Sequence, residues 1–142
     1  MQLNSFTDYA LRSLILLSVE GNDRIISAAE ISETFGISRN HLMKVVNKLA
    51  QLGYVDTLRG KHGGLKLKMA PVDINIGALI RQTEPMQLLD CSEKACHITR
   101  ACRLKGVLAD AKAAFLAVLD KYTLEDVISD NEPLKLLLVS NG

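Results

Sequence analysis

Twenty-six residues, Ser27 to Leu52, constrain this chain more tightly than any other stretch. Ser27-Ala-Ala-Glu30 has the Ser-x-x-Glu form of a capping box, in which hydroxyl and carboxylate satisfy the free amides at a helix start. Gly36 supplies the stop, and the short helix between them turns Ile31 and Phe35 inward. Ser38 then caps a second helix, where Leu42, Val45, Val46, Leu49 and Leu52 fall at i, i+3, i+4, i+7 and i+10 and define an inner face. Its outer face carries Arg39, Asn40, His41, Lys44, Asn47, Lys48 and Gln51. Two helices joined by a three-residue turn containing Gly form a helix-turn-helix over about 28–51, with the second helix shaped for the major groove of double-stranded DNA. A merely solvated hairpin would mix its charges, whereas the ionised groups on this face are all basic.

The charge distribution supports the same reading. Residues 39–68 carry seven basic groups and one acidic group, inside a chain whose formal net charge is only +1. Such a block is expected where phosphates are met. Directly after the second helix, Tyr54–Leu58 and Leu65–Met69 read as short strands, the latter alternating Leu65, Leu67 and Met69 with Lys66 and Lys68. Between them Arg59-Gly-Lys-His-Gly-Gly64 forms a basic tip, and the hairpin over about 54–69 is a wing. Arg59 and Lys61 can reach a minor groove that is narrow and electronegative at A·T-rich sequence. The glycines do not signal nucleotide binding, since no G-x-x-x-x-G-K-[ST] pattern or strand-to-helix context accompanies them.

With 142 residues, 48% of them apolar and no Trp, the chain suits one mainly helical unit built on aliphatic side chains. Ser5 and Asp8 suggest a first helix over about Phe6 to Val19, stopped at Gly21-Asn22, with Asp8 as a first-turn carboxylate favoured by the helix dipole. Asn75 caps a helix from Ile76 to Thr83, which Glu84-Pro85 ends. Leu104, Leu108, Ala111, Phe115, Val118 and Tyr122 step by 4, 3, 4, 3 and 4, an a/d seam about 28 Å long that seeks another helix. A twofold homodimer satisfies it and matches a pseudo-palindromic operator. Thr123-Leu-Glu-Asp126 caps a further short helix, and the segment 130–142 has no assignment. No apolar run reaches about 18 residues and no basic-then-apolar leader is present, so a cytoplasmic protein with no membrane partner is expected.

All three cysteines fall within Cys91-Ser-Glu-Lys-Ala-Cys96-His-Ile-Thr-Arg-Ala-Cys102, a C-x4-C-x5-C spacing. Their odd number argues against a disulfide framework. Zinc favours closer C-x2-C pairs, with His97 the in-loop candidate for a fourth ligand. An iron-sulfur cluster suits the wider gaps but normally takes four thiolates, so it would need one ligand other than cysteine. Cluster, zinc and bare thiol sensor all remain open on spacing alone. Nothing indicates an enzyme: no nucleophile stands beside a base, and no substrate-pocket pattern is visible.

Together, Leu3-x-Ser-Phe-Thr-Asp8-Tyr-x-Leu-Arg12, Ser38-Arg-Asn-His41, Arg59-Gly-Lys-x-Gly-Gly64 and Cys96-His-Ile-Thr-x-Ala-Cys102-Arg-Leu-Lys105 resemble the NsrR group of nitric-oxide-sensitive repressors, among the iron-sulfur winged-helix (Rrf-type) regulators. The resemblance covers nearly the whole chain. It implies a DNA-binding domain over 1–84, a cluster loop over 85–103, a dimerisation helix and short C-terminal helix over 104–129, and a tail over 130–142. It also implies one iron-sulfur cluster per subunit, 2Fe-2S or 4Fe-4S, held by Cys91, Cys96 and Cys102. Asp8 of the partner subunit is implied as the remaining iron ligand, and nitric oxide as the signal that releases DNA. The DNA contacts expected are Ser38, Arg39, Asn40, His41, Lys44, Lys48, Arg59 and Lys61. The related regulators of iron-sulfur assembly show a longer first cysteine gap and a histidine where this chain has Lys105.

Overall fold

The computed structural model describes residues 1–21 and 24–140. The elements run α1 (Ser5–Glu20), α2 (Ala28–Phe35), α3 (Arg39–Gln51), β1 (Val55–Leu58), β2 (Gly64–Leu67), a 3-10 turn (Pro71–Asp73), α4 (Ile76–Thr83), α5 (Leu104–Leu119), α6 (Leu124–Ile128) and α7 (Glu132–Ser140). The fold is mainly helical with one two-stranded antiparallel sheet, as expected for a winged helix-turn-helix.

Local chemistry sets most of the boundaries. α1 begins one residue earlier than expected because Asn4, not Ser5, is its cap: Asn4 Oδ1 accepts from Thr7 N at 2.8 Å. Gly21 ends α1 with φ +69°, while Asn22, the other half of the expected stop, lies outside the described residues. For α2, Ser27 Oγ accepts from Glu30 N at 3.1 Å. The Glu30 carboxylate turns instead to the Arg24 guanidinium, at 2.8 and 2.9 Å, so the structure shows half of the expected capping box. Gly36 closes α2 in the left-handed region (φ +65°, ψ +37°), a conformation that costs a side-chain-bearing residue more. Ser38 Oγ then accepts from His41 N, and α3 starts.

In the wing, Val55 pairs with Leu67 and Thr57 with Leu65, which turns Leu65 and Leu67 into the core. Ile26 adds one further rung, exchanging backbone hydrogen bonds with Leu65 at 3.0 and 2.7 Å. The chain passes so close there that a Cβ on Gly64 would lie 2.6 Å from the Ile26 carbonyl oxygen, and one on Gly63 would lie 2.1 Å from that of Leu58. Gly63 therefore lets the hairpin tip close on β1, and Gly64 lets β2 run against the link between α1 and α2.

One core joins all the layers. Ala10, Leu14 and Leu17 of α1 lie in a single buried cluster with Ile31, Leu42, Val45, Leu49, Leu79 and Ile80. Leu116, Leu124 and Leu138 belong to the same cluster, so α5, α6 and α7 each contribute a residue to it. The return is fastened by backbone bonds from Leu124 N to Ile74 O (2.8 Å) and from Ile76 N to Tyr122 O (3.0 Å). Within the segment without an assignment, Glu132–Ser140 is helical: Asn131 Oδ1 accepts from Leu134 N, Pro133 sits in the first turn, and Leu134 and Leu138 share the inward face. Asn141 and Gly142 of that tail lie outside the described residues.

α5 is built differently. It buries only Leu116, while Leu104, Phe115 and Val118 of the a/d seam are 54, 36 and 52% exposed; Leu108 is half-buried, and Tyr122, the last expected seam residue, lies beyond the helix end at Leu119. Apart from Leu108, which faces the loop 85–103, the seam is thus not spent on its own chain, because Leu116 and Leu119 occupy the face turned to the core. Among the described residues, no helix is long and apolar enough to cross a membrane.

Candidate nucleic-acid interface and cysteine loop

The inner face of α3 is buried as its periodicity requires, with Leu42, Val45, Val46 and Leu49 at most 2% exposed. That burial turns Ser38, Arg39, Asn40, Lys44 and Asn47 outward as one exposed stripe. Met43, 41% exposed, lies in the middle of it. Sequence reasoning passed over Met43 because an apolar residue between the two faces carries no charge signal. His41 is only half-exposed: its ring meets Tyr9 of α1 edge-on at 4.8 Å, which anchors the first turn of α3. Lys48, also half-exposed, lines an open recess of about 520 Å³ with Asn4, Phe6, Gln82, Thr83, Glu84 and Pro85, away from the N-terminal end of the stripe. Arg59 and Lys61 are exposed at the wing tip, where Gly60 takes φ +105° and its carbonyl receives Gly63 N.

The cysteine loop runs from Pro85 to Arg103 without helix or strand. It is held by a hub at Thr99, 6% exposed, whose hydroxyl donates to the Cys91 carbonyl and whose own carbonyl accepts from Lys105 Nζ of α5. Cys96 N donates to Ser92 O, and Arg100 clasps Glu93 through Nε and Nη2. The Arg100 guanidinium holds the Glu93 carboxyl below its ordinary range, and the hydrogen bonds from Ser92 do the same for Asp90. Cys91, Cys96 and Cys102 are unpaired and half-exposed. Cys91 lines a cavity of about 190 Å³ together with Leu88, Leu108 and Lys112.

These thiols suit a metal or cluster in kind: three soft sulfur donors in one braced loop, each partly shielded. They are not gathered into a ligand set within this chain, because among the described residues no three His, Cys, Asp or Glu side chains stand close enough to hold a metal ion. His97 is exposed. Asp8 lies on α1 and engages Arg12 through both oxygens, at 2.7 and 3.1 Å. A site of four ligands therefore needs the loop to tighten and a donor to come from outside it. Sequence reasoning also missed Glu84, whose carboxylate accepts from Asn4 N and from the buried Thr7 hydroxyl. Its position directly before Pro85 made it read only as a helix stop.

A capped recognition helix with a one-sign outer face, followed by a basic wing, defines a winged-helix DNA-binding protein. Residues 3–130 match the Rrf2 family, described as an iron-dependent transcriptional regulator, and the chain belongs to that family. In structure it is similar to IscR of T. potens, with 27% identity, a TM-score of 0.73, and coverage of 94% of this chain and 90% of that one. It is also similar to CymR, the global cysteine regulator of B. subtilis (28% identity, TM-score 0.71, coverage 91% and 97%), and to CymR of Staphylococcus aureus (25%, 0.72, 89% and 97%).

Proposed function

We propose that this transcriptional regulator is a homodimeric repressor that senses nitric oxide through an iron-sulfur cluster. The observation carrying the reading is the braced loop of three unpaired, half-exposed thiols, set between the DNA-binding half and a helix with an uncovered apolar seam. Cys91, Cys96 and Cys102 would hold the cluster, with Asp8 of the partner subunit as the remaining ligand once it has left Arg12. When bound, the cluster supplies iron that reacts with nitric oxide. Lys105, where the iron-sulfur-assembly regulators carry a histidine, is spent on the Thr99 carbonyl and braces the loop rather than offering a ligand. The iron-dependent character of the family and the motif resemblance support this reading over a zinc-braced DNA-binding protein.

The protein's own part is geometric. Arg39, Asn40 and Lys44 of each subunit meet a half-site of an A·T-rich, pseudo-palindromic operator, with half-sites about 10 to 10.5 base pairs apart. Arg59 and Lys61 reach the flanking minor groove. A loop that loosens changes the spacing of the two α3 helices, and operator contacts are lost together.

The deciding measurement is the absorption spectrum of anaerobically purified protein, followed by operator binding before and after nitric oxide. Brown protein with about one cluster per subunit, colourless but folded as Cys96→Ala, and weaker operator binding after nitric oxide are expected. Colourless wild-type protein with stoichiometric zinc would overturn the cluster reading. Brown protein that binds its operator equally well after nitric oxide would overturn the sensing step alone.

A further inference from the structure

We infer that Glu84 is a positioning residue that ties the root of the cysteine loop to the start of α1 and, through α1, to the first turn of the recognition helix. The inference rests on the reading of the loop as the sensor. Glu84 follows the last residue of α4 and precedes Pro85, so it stands where the DNA-binding half gives way to the loop. Both of its oxygens accept from Asn4 N, at 3.1 Å each, and Oε2 accepts from Thr7 Oγ1 at 2.6 Å. Thr7 is fully buried, and its hydroxyl also lies 2.9 Å from that of Thr83. The carboxylate therefore sits at the N-terminus of α1, where the free amides and the helix dipole favour negative charge.

From that point the connection continues to α3. Two residues beyond Thr7, Tyr9 packs edge-on against His41 in the first turn of α3. At the other end of α3, Tyr54 N bonds Leu49 O, and the Tyr54 hydroxyl donates to Gln82 Oε1 at 2.5 Å. Gln82 in the last turn of α4 thus holds the segment just after α3, and Glu84, the C-cap of α4, holds the start of α1 that packs on the first turn of α3. On the loop side, Met86 is held in the left-handed region at φ +61°, which few side-chain-bearing residues adopt, and its carbonyl accepts from Lys112 Nζ of α5 at 3.0 Å. Five residues, 82 to 86, accordingly touch α1, the α3–β1 junction and α5. A side-chain-bearing residue held at positive φ by its ties on both sides makes this joint a constrained one, through which a change in the loop can be passed to α1.

The test uses full-length protein, anaerobic and cluster-loaded, on an operator duplex selected by the wild type from a random-sequence library. Affinity is measured loaded and after nitric oxide, and the ratio is the readout. A wild-type ratio of roughly tenfold or more is expected. Glu84→Gln places an amide donor opposite donors, and Thr7→Val removes the hydroxyl at constant shape. Each should lower the ratio by about threefold or more at unchanged cluster content, with Thr7→Ser restoring it. In cluster-free protein the same two variants should speed amide exchange at Asn4 and in the first turn of α3. A structural role alone would lower both affinities together and leave the ratio intact. An unchanged ratio in Glu84→Gln and Thr7→Val, against a wild type that switches, overturns the inference alone. A wild type that does not switch overturns the sensor reading and this inference with it.

Discussion

The DNA-binding half and α5 obey opposite rules. From Asn4 to Ile80 the α-helices are capped by side chains, at Asn4, Ser27, Ser38 and Asn75, and their apolar faces close on one another. α5 has a comparable length of apolar sequence but no side-chain cap at Arg103, and it leaves Leu104, Val107 and Val118 more than half exposed. A helix of 16 residues does not persist in water on propensity alone; tertiary packing of its apolar face supplies most of its stability. The first region carries its own reasons to fold, while the second anticipates company. A second copy of the seam is the company proposed here.

Paired truncations in the two regions should differ most. Leu14→Ala, at a fully buried site in α1, should cost about 3 kcal/mol, read as a lower denaturant midpoint. Val118→Ala, half exposed on the seam, should leave the monomer's stability within about 0.5 kcal/mol and instead weaken self-association in sedimentation. Equal losses of stability with no change in association would mean that the seam is ordinary surface. Where the two regions meet, Gly77 of α4 allows an approach in which an added Cβ would fall on the Asp120 side chain and 3.0 Å from its backbone N. Gly77→Ala should therefore destabilise by about 1–3 kcal/mol, visible in thermal melts, by prising α4 from the end of α5.

Within the DNA-binding half, groove and phosphate contacts should separate. Arg59→Ala should weaken binding by roughly 1 kcal/mol, more on A·T-rich flanks than on G·C-rich ones, because a narrow groove concentrates the potential that Arg reads. Lys44→Ala should lower the salt slope by about one unit on every sequence if it contacts phosphate. Identical losses for both variants on all flanks would remove the wing from the minor groove. The smallest effect is acid-side. Arg81 of α4 forms a bidentate pair with Asp120 and holds that carboxyl below its ordinary range. A depressed folded-state value contributes stability above the unfolded carboxylate pKa and loses it as pH falls through the folded one. Asp120→Asn should thus be slightly less stable than wild type at pH 7 and indistinguishable from it at strongly acid pH, as melts across the acid range would show.

Much of the DNA-binding half was legible because its signals are local. Ser38, Asn75 and Thr123 cap helices where their spacing placed them, and Leu65 and Leu67 turn inward as alternation required. Misreadings arose where two local partners competed. Ser5 lost α1 to Asn4, and Glu30 exchanged a backbone amide for Arg24, because a short-range pattern does not reveal which neighbour the fold brings nearer. α7 was readable in principle from Asn131, Pro133 and the Leu134–Leu138 spacing, but its apolar run at 136–139 hid the one face that is buried.

The helix-turn-helix, the wing, the basic stripe and the grouping of three cysteines in one loop follow from neighbouring residues alone, since caps, periodicity and charge act over a few positions. Only the packing of distant elements makes His41 an anchor on Tyr9 and turns Lys48 to a recess. It alone brought Glu84 against Thr7, across 77 positions of sequence. Such contacts depend on how elements pack around a shared core, and a buried hydroxyl finds its carboxylate only after distant segments have closed on one another.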